Sequence, residues 1–103
     1  MEDISAEEFK ILSNNPTAKY ALLDVREELE FYTYNIGGEN IPLGKLSHVL
    51  ADDDFPFDKE ETIILICQRG LRSKTAKLLL QQHGFTKTQN LLGGLLKLQR
   101  LIA

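Results

Sequence analysis

The run Thr62-Ile63-Ile64-Leu65-Ile66-Cys67 constrains this chain more than any other segment. From Ile63 onward it is continuously apolar and mostly β-branched, with charge before it and a glycine-containing stretch after it. It lacks the alternation of a strand with one wet face. Such a strand must be covered on both sides, so the sequence predicts a central parallel strand with helices packed above and below.

The flanking segments supply those layers. Ser5-Ala6-Glu7-Glu8 has the form of a capping box opening a short helix with Phe9 and Leu12 inward, ended by Asn14-Asn15-Pro16. Residues 20–25 read as a second buried strand and 26–34 as a short polar helix. Ile36-Gly37-Gly38 breaks the pattern, Asn40-Ile41-Pro42 reads as a short strand, and 43–50 has helical spacing before an acidic loop at Asp52-Asp53-Asp54. Ser73 is expected to open a helix over 74–83 that buries Ala76, Leu79 and Leu80 and stops at Gly84. A last strand over 88–92, a Gly93-Gly94 turn and an amphipathic helix over 95–102 complete the alternation. The expected architecture is α/β, a three-layer sandwich with a mostly parallel sheet of about four to five strands, in one domain over residues 1–103.

Composition narrows the function classes. At 43% hydrophobic and 26% charged over 103 residues, the chain can bury one core. Twelve basic against 15 acidic residues, with no Lys/Arg run, argue against a nucleic-acid partner. No apolar stretch reaches the roughly 20 residues of a membrane span, and Met1-Glu2-Asp3-Ile4 lacks a secretory pattern, so a cytoplasmic, membrane-free protein is expected. A lone cysteine forms no internal disulfide and no all-thiolate zinc site; neither metal nor cofactor is expected.

That lone cysteine falls where α/β sheets place their ligands, at the carboxyl end of the central strand. Gln68, Arg69, Gly70, Leu71 and Arg72 add backbone N–H groups and two guanidinium groups, next to a helix start near Ser73. Such a segment favours an anion and should lower the thiol pKa, making Cys67 the candidate nucleophile and residues 68–73 its candidate binding loop. The plain alternative is a small buried hydrophobe closing a strand.

Other polar residues read as structural. Asp24 and Arg26 suit a cap or an ion pair with a neighbour such as Glu30; His83 suits a helix C-terminus; His48 has no catalytic spacing to Cys67. The acidic loop is expected to be solvated. Gly93 and Gly94 are explained by backbone freedom, and Phe55, Phe57, Tyr32 and Tyr34 by packing at the core edge.

Taken together, Leu23-Asp24-Val25-Arg26-Glu27, Asn40-Ile41-Pro42-Leu43, Cys67-Gln68-Arg69-Gly70-Leu71-Arg72-Ser73 and Asn90-Leu91-Leu92-Gly93-Gly94 resemble the rhodanese family. The resemblance implies that Cys67 takes a sulfane sulfur from a small-molecule or protein donor and hands it to a thiophilic acceptor, and that the Gly93-Gly94 loop lies near the site. It also separates sulfur carriers, with six residues from the cysteine to the loop end, from related phosphatases and arsenate reductases with one more. Cys67 to Arg72 is six, and Ile66 stands where a His would immediately precede the cysteine of such a phosphatase. Asn35-Ile36-Gly37-Gly38-Glu39 departs from the common pattern and is similar to rhodanese domains attached to adenylyltransferases. That variant implies an adenylyltransferase context and a small sulfur-carrier protein as acceptor. The competing classes are a non-catalytic interaction module and a small phosphatase or arsenate reductase.

Overall fold

The computed structural model describes residues 1–102. Its sheet has four parallel strands, β1 (Ala21–Asp24), β2 (Glu39–Asn40), β3 (Ile63–Ile66) and β4 (Thr88–Asn90), in the order β2-β1-β3-β4. An isolated parallel bridge between Ile4 and Leu91 extends the β4 edge. The helices are α1 (Ala6–Ser13), α2 (Glu28–Thr33), α3 (Leu43–Ala51), α4 (Leu71–Gln82) and α5 (Gly94–Ile102). Among the described residues no helix is long and apolar enough to cross a membrane.

β3 is buried along its whole length, and its side chains divide between two cores by the two-residue period of a strand. Ile63, Leu65 and Cys67 join Leu23, Val25, Leu46, Ala76 and Leu80 on the α3–α4 face. Ile64 and Ile66 join Phe9, Leu91, Leu95 and Leu98 on the α1–α5 face. Each Val, Leu, Ile or Phe side chain among them, taken fully out of water, contributes about 1.5–3 kcal/mol. The expected three-layer sandwich is therefore present, at four strands, and the Ser5–Glu8 capping box opens α1 as the sequence indicates. Gly84, at φ 88°, follows the His83 C-cap of α4, the left-handed stop expected there.

Three expectations need correction. α4 begins at Leu71, two residues before Ser73, because Gly70 takes φ 86° and serves as the N-cap. Tyr32 is 77% exposed and touches Phe31 edge-on, so it does not pack at the core edge, whereas Phe55 does so against Phe57 and Phe85. Arg26 pairs with Asp24, not with Glu30.

That last pair positions the start of the site. Arg26, 3% exposed, donates from Nε and Nη2 to the fully buried Asp24 carboxylate, and from the same guanidinium to the carbonyls of Glu30 at 3.4 Å and Tyr34 at 2.7 Å. One side chain thus ties α2 to the end of β1. Arg26→Ala would leave the Asp24 carboxylate buried without its partner, so we expect a loss of about 3–5 kcal/mol in denaturant unfolding. Arg26→Lys should recover only part of it, since an ammonium cannot reproduce the planar fork.

Candidate functional site

The chain runs outward from β1 to β2 and then returns to β3 on the other side of β1, so the topological switch lies between β1 and β3. The crevice at their carboxyl ends is where such sheets bind ligands. Cys67 sits there, at the end of β3, facing α4 and 1% exposed.

Two helix N-termini converge on this cysteine. The Gly70 amide donates to Cys67 Sγ at 3.0 Å and the Ser73 amide at 3.3 Å, so the sulfur fills the place of the side-chain cap that Gly70 does not supply to α4. The first amides of α5 hold the other side of the loop: Leu95 donates to the Cys67 carbonyl and Leu96 to the Gln68 carbonyl, each at 3.0 Å. This approach requires Gly94, because a Cβ there would lie 2.5 Å from both carbonyl oxygens and φ is 63°. The Gly93-Gly94 turn therefore walls the loop.

Sγ also lies 3.1 Å from Ser73 Oγ. Burial opposes the thiolate, but the hydroxyl and amide of Ser73 and the amides of Arg69 and Gly70 outweigh it, and the thiol pKa is lowered. The lowering expected from the sequence is present and comes from the backbone amides expected there together with the Ser73 hydroxyl, while neither guanidinium group bonds the sulfur.

Arg72 instead forms a fork with Glu30 of α2, at 2.6 and 2.9 Å. The sequence offers Glu30 as a neighbour for Arg26; its pairing with Arg72, 42 residues away, carries no local signal. Arg69 is exposed and lines a concavity of about 510 Å³ with Lys97, Arg100, Gly93 and Leu96. Gln68 opens on the other side into a concavity of about 410 Å³ shared with Leu29, Glu30 and Gln99. Leu71, in the first turn of α4, is 71% exposed. Of the candidate loop residues, then, Gly70 and Ser73 bond the sulfur, the Arg69 amide helps to lower its pKa, and Gln68, Leu71 and Arg72 surround it. His48 and His83 are both exposed, His83 with Nδ1 3.0 Å from the Leu79 carbonyl within α4.

With this geometry in place, comparison with known proteins defines the class. A family model described as Rhodanese-like domain matches residues 5–101, and the chain belongs to that family. A maize protein named adenylyltransferase and sulfurtransferase MOCS3-1 is 31% identical over 96 residues, covering 89% of this chain and 20% of that protein. A putative mitochondrial thiosulfate sulfurtransferase of Schizosaccharomyces pombe is 32% identical over 98 residues, covering 84% of this chain and 69% of that one. Two Shewanella tRNA sulfurtransferases match over 14% of their length, so the chain spans only a small part of several relatives. Among solved structures, a rhodanese-like domain protein of Staphylococcus aureus superposes with a TM-score of 0.76 at 26% identity, over 95% of this chain and 91% of that one.

The Arg72 guanidinium holds the Glu30 carboxyl at a pKa of about 2, well below its ordinary value. A carboxylate depressed in the fold stabilises it above the unfolded pKa, about 4.3, and that stabilisation is lost as pH falls toward 2. The two side chains are 35% and 37% exposed, so solvent and salt screen the pair. We expect Glu30→Gln to flatten the acid limb of a stability–pH curve between about pH 4.5 and 2 and to change little at pH 7 beyond the pair's modest contribution. An unchanged acid limb would show that Glu30 carries no folding linkage.

Proposed function

We propose that this chain is a sulfurtransferase that carries sulfane sulfur as a persulfide on Cys67. The observation that carries the reading is a nucleophilic sulfur at the switch point, held by the Gly70 and Ser73 amides and with a lowered pKa. Membership of the rhodanese-like family supports it, as do relatives named sulfurtransferases.

With thiosulfate as donor, the Cys67 thiolate attacks the outer sulfur. A Sγ–S bond forms, the donor S–S bond breaks, and sulfite departs with the electron pair. An acceptor thiolate then attacks the terminal sulfur, and Sγ leaves as the thiolate that began the cycle. Arg69, Lys97 and Arg100 beside the loop supply positive charge for an anionic donor. Exposed Leu29, 81% accessible, and Leu71 supply apolar surface for a protein donor or acceptor such as a small sulfur-carrier protein, within an adenylyltransferase pathway like that of the maize relative.

The phosphatase and arsenate reductase reading is weaker. Only Gln68, Arg69 and Gly70 separate Cys67 from the first turn of α4, and the Gly70 and Ser73 amides already bond the sulfur, so this short loop fits one sulfur atom better than a tetrahedral oxyanion.

The test is intact-protein mass after incubation with thiosulfate and again after cyanide or dithiothreitol. We expect a gain of one sulfur atom that maps to Cys67, its removal by the acceptor, and no gain in Cys67→Ser. If neither thiosulfate nor a protein persulfide donor loads Cys67, the reading fails and the interaction-module alternative takes its place.

A further inference from the structure

Asn90, at the end of β4, is 3% exposed and makes no hydrogen bond to Cys67, yet it determines what Ser73 can offer the sulfur. Its Nδ2 donates to the Gly70 carbonyl at 3.0 Å, which fixes the amide orientation and turns Oδ1 toward Ser73 Oγ at 2.5 Å. An amide oxygen carries no proton, so the Ser73 hydroxyl must donate to it. A hydroxyl has one proton. Ser73 Oγ therefore presents only lone pairs to Cys67 Sγ, 3.1 Å away, and the sulfur must be the donor of that bond, which makes it a thiol.

The thiolate has no proton to give. To form a bond with it, Ser73 must turn its proton from Asn90 to Sγ and leave Asn90 Oδ1 buried without the Ser73 donor. We propose that Asn90 is a positioning residue that holds the Ser73 hydroxyl away from the sulfur, restraining ionisation of Cys67 until the hydroxyl switches partner. The same count applies to the persulfide, whose Sγ also lacks a proton. A loaded sulfur gains the Ser73 proton only if Ser73 gives up Asn90; otherwise the Ser73–Asn90 bond stays as it is.

The charged groups around this chain of contacts are Arg72 with Glu30 on α2, Arg69 on the loop, Asp24 with Arg26 at the end of β1, and Asp3 with Lys77 behind Asn90. Asp3 accepts the Asn90 backbone amide at 2.9 Å. None of these side chains bonds Sγ, Ser73 Oγ or Asn90 Oδ1, so the proton count is decided by neutral groups.

The proposal takes its functional meaning from the persulfide reading, but its test reads ionisation alone and fails separately from it. The experiment is a double-mutant cycle of Asn90→Ala and Ser73→Ala, followed by the pH dependence of Cys67 alkylation by iodoacetamide. With Asn90→Ala the freed hydroxyl donates to the thiolate, and alkylation below the thiol pKa should accelerate about five- to tenfold, the size of one hydrogen bond. In the Ser73→Ala background Asn90→Ala should have no such effect. The same acceleration in both backgrounds would mean that Asn90 acts through the Gly70 loop, and an unchanged or slower single variant would mean that it exerts no restraint; either overturns the proposal. If Asn90→Ala does not fold, Asn90→Leu, which keeps the bulk, is carried through the same cycle. If neither folds, the infrared S–H stretch of Cys67 decides with Asn90 intact: a thiol that donates to Ser73 Oγ absorbs at lower frequency than in Ser73→Ala, and equal frequencies overturn the proposal.

Discussion

The burial of β3 on both faces is the constraint on which the site depends. Because Ile63 to Ile66 leave no wet side, the strand must be central, and the switch in strand order must fall beside it. The two-residue period then dictates that Cys67 follows Ile63 and Leu65 onto the α4 face. A shift of one residue in that pattern would point the sulfur at α5 and away from Ser73. Core packing and the aim of the Cys67 sulfur are therefore one property of the strand.

The loop that follows is held from two directions. α4 offers its first free amides to the sulfur, and α5 offers its own to the carbonyls of Cys67 and Gln68. Each helix end satisfies groups that would otherwise be buried without partners, so loop shape and sulfur environment share the same hydrogen bonds. Gly70 and Gly94 allow this: one turns the chain into α4 at φ 86°, and the other lets α5 close onto the loop.

Much of this was legible in the sequence because it rests on local chemistry. The Ser5–Glu8 capping box, the apolar run of β3, the stop at Gly84 and the position of Cys67 each depend on residues a few places apart. What escaped depends on distance in the chain. The sequence shows Arg72 as an anion-binding side chain of the loop and Asn90 as a residue of the last strand, whereas in the fold Arg72 pairs with Glu30 and the Asn90 side chain bridges Gly70 and Ser73. Serine is a favoured cap, so the sequence alone points to Ser73 as the start of α4. A cysteine sulfur bonded to the third helical amide takes that role here, and cap preferences do not count cysteine.

The nature of the donors bears on how a carrier works. A persulfide gripped by a buried guanidinium would be hard to give up, since charge-assisted hydrogen bonds are roughly twice as strong as neutral ones. Here Arg72 is engaged by Glu30, the Arg69 side chain faces solvent, and the groups around the sulfur are backbone amides and a hydroxyl with another claim on its proton. Such an environment lowers the thiol pKa without making either sulfur state a deep well. On the proposed function that balance is what transfer in both directions requires: loading must be favourable enough to occur, and the loaded state must remain easy to discharge.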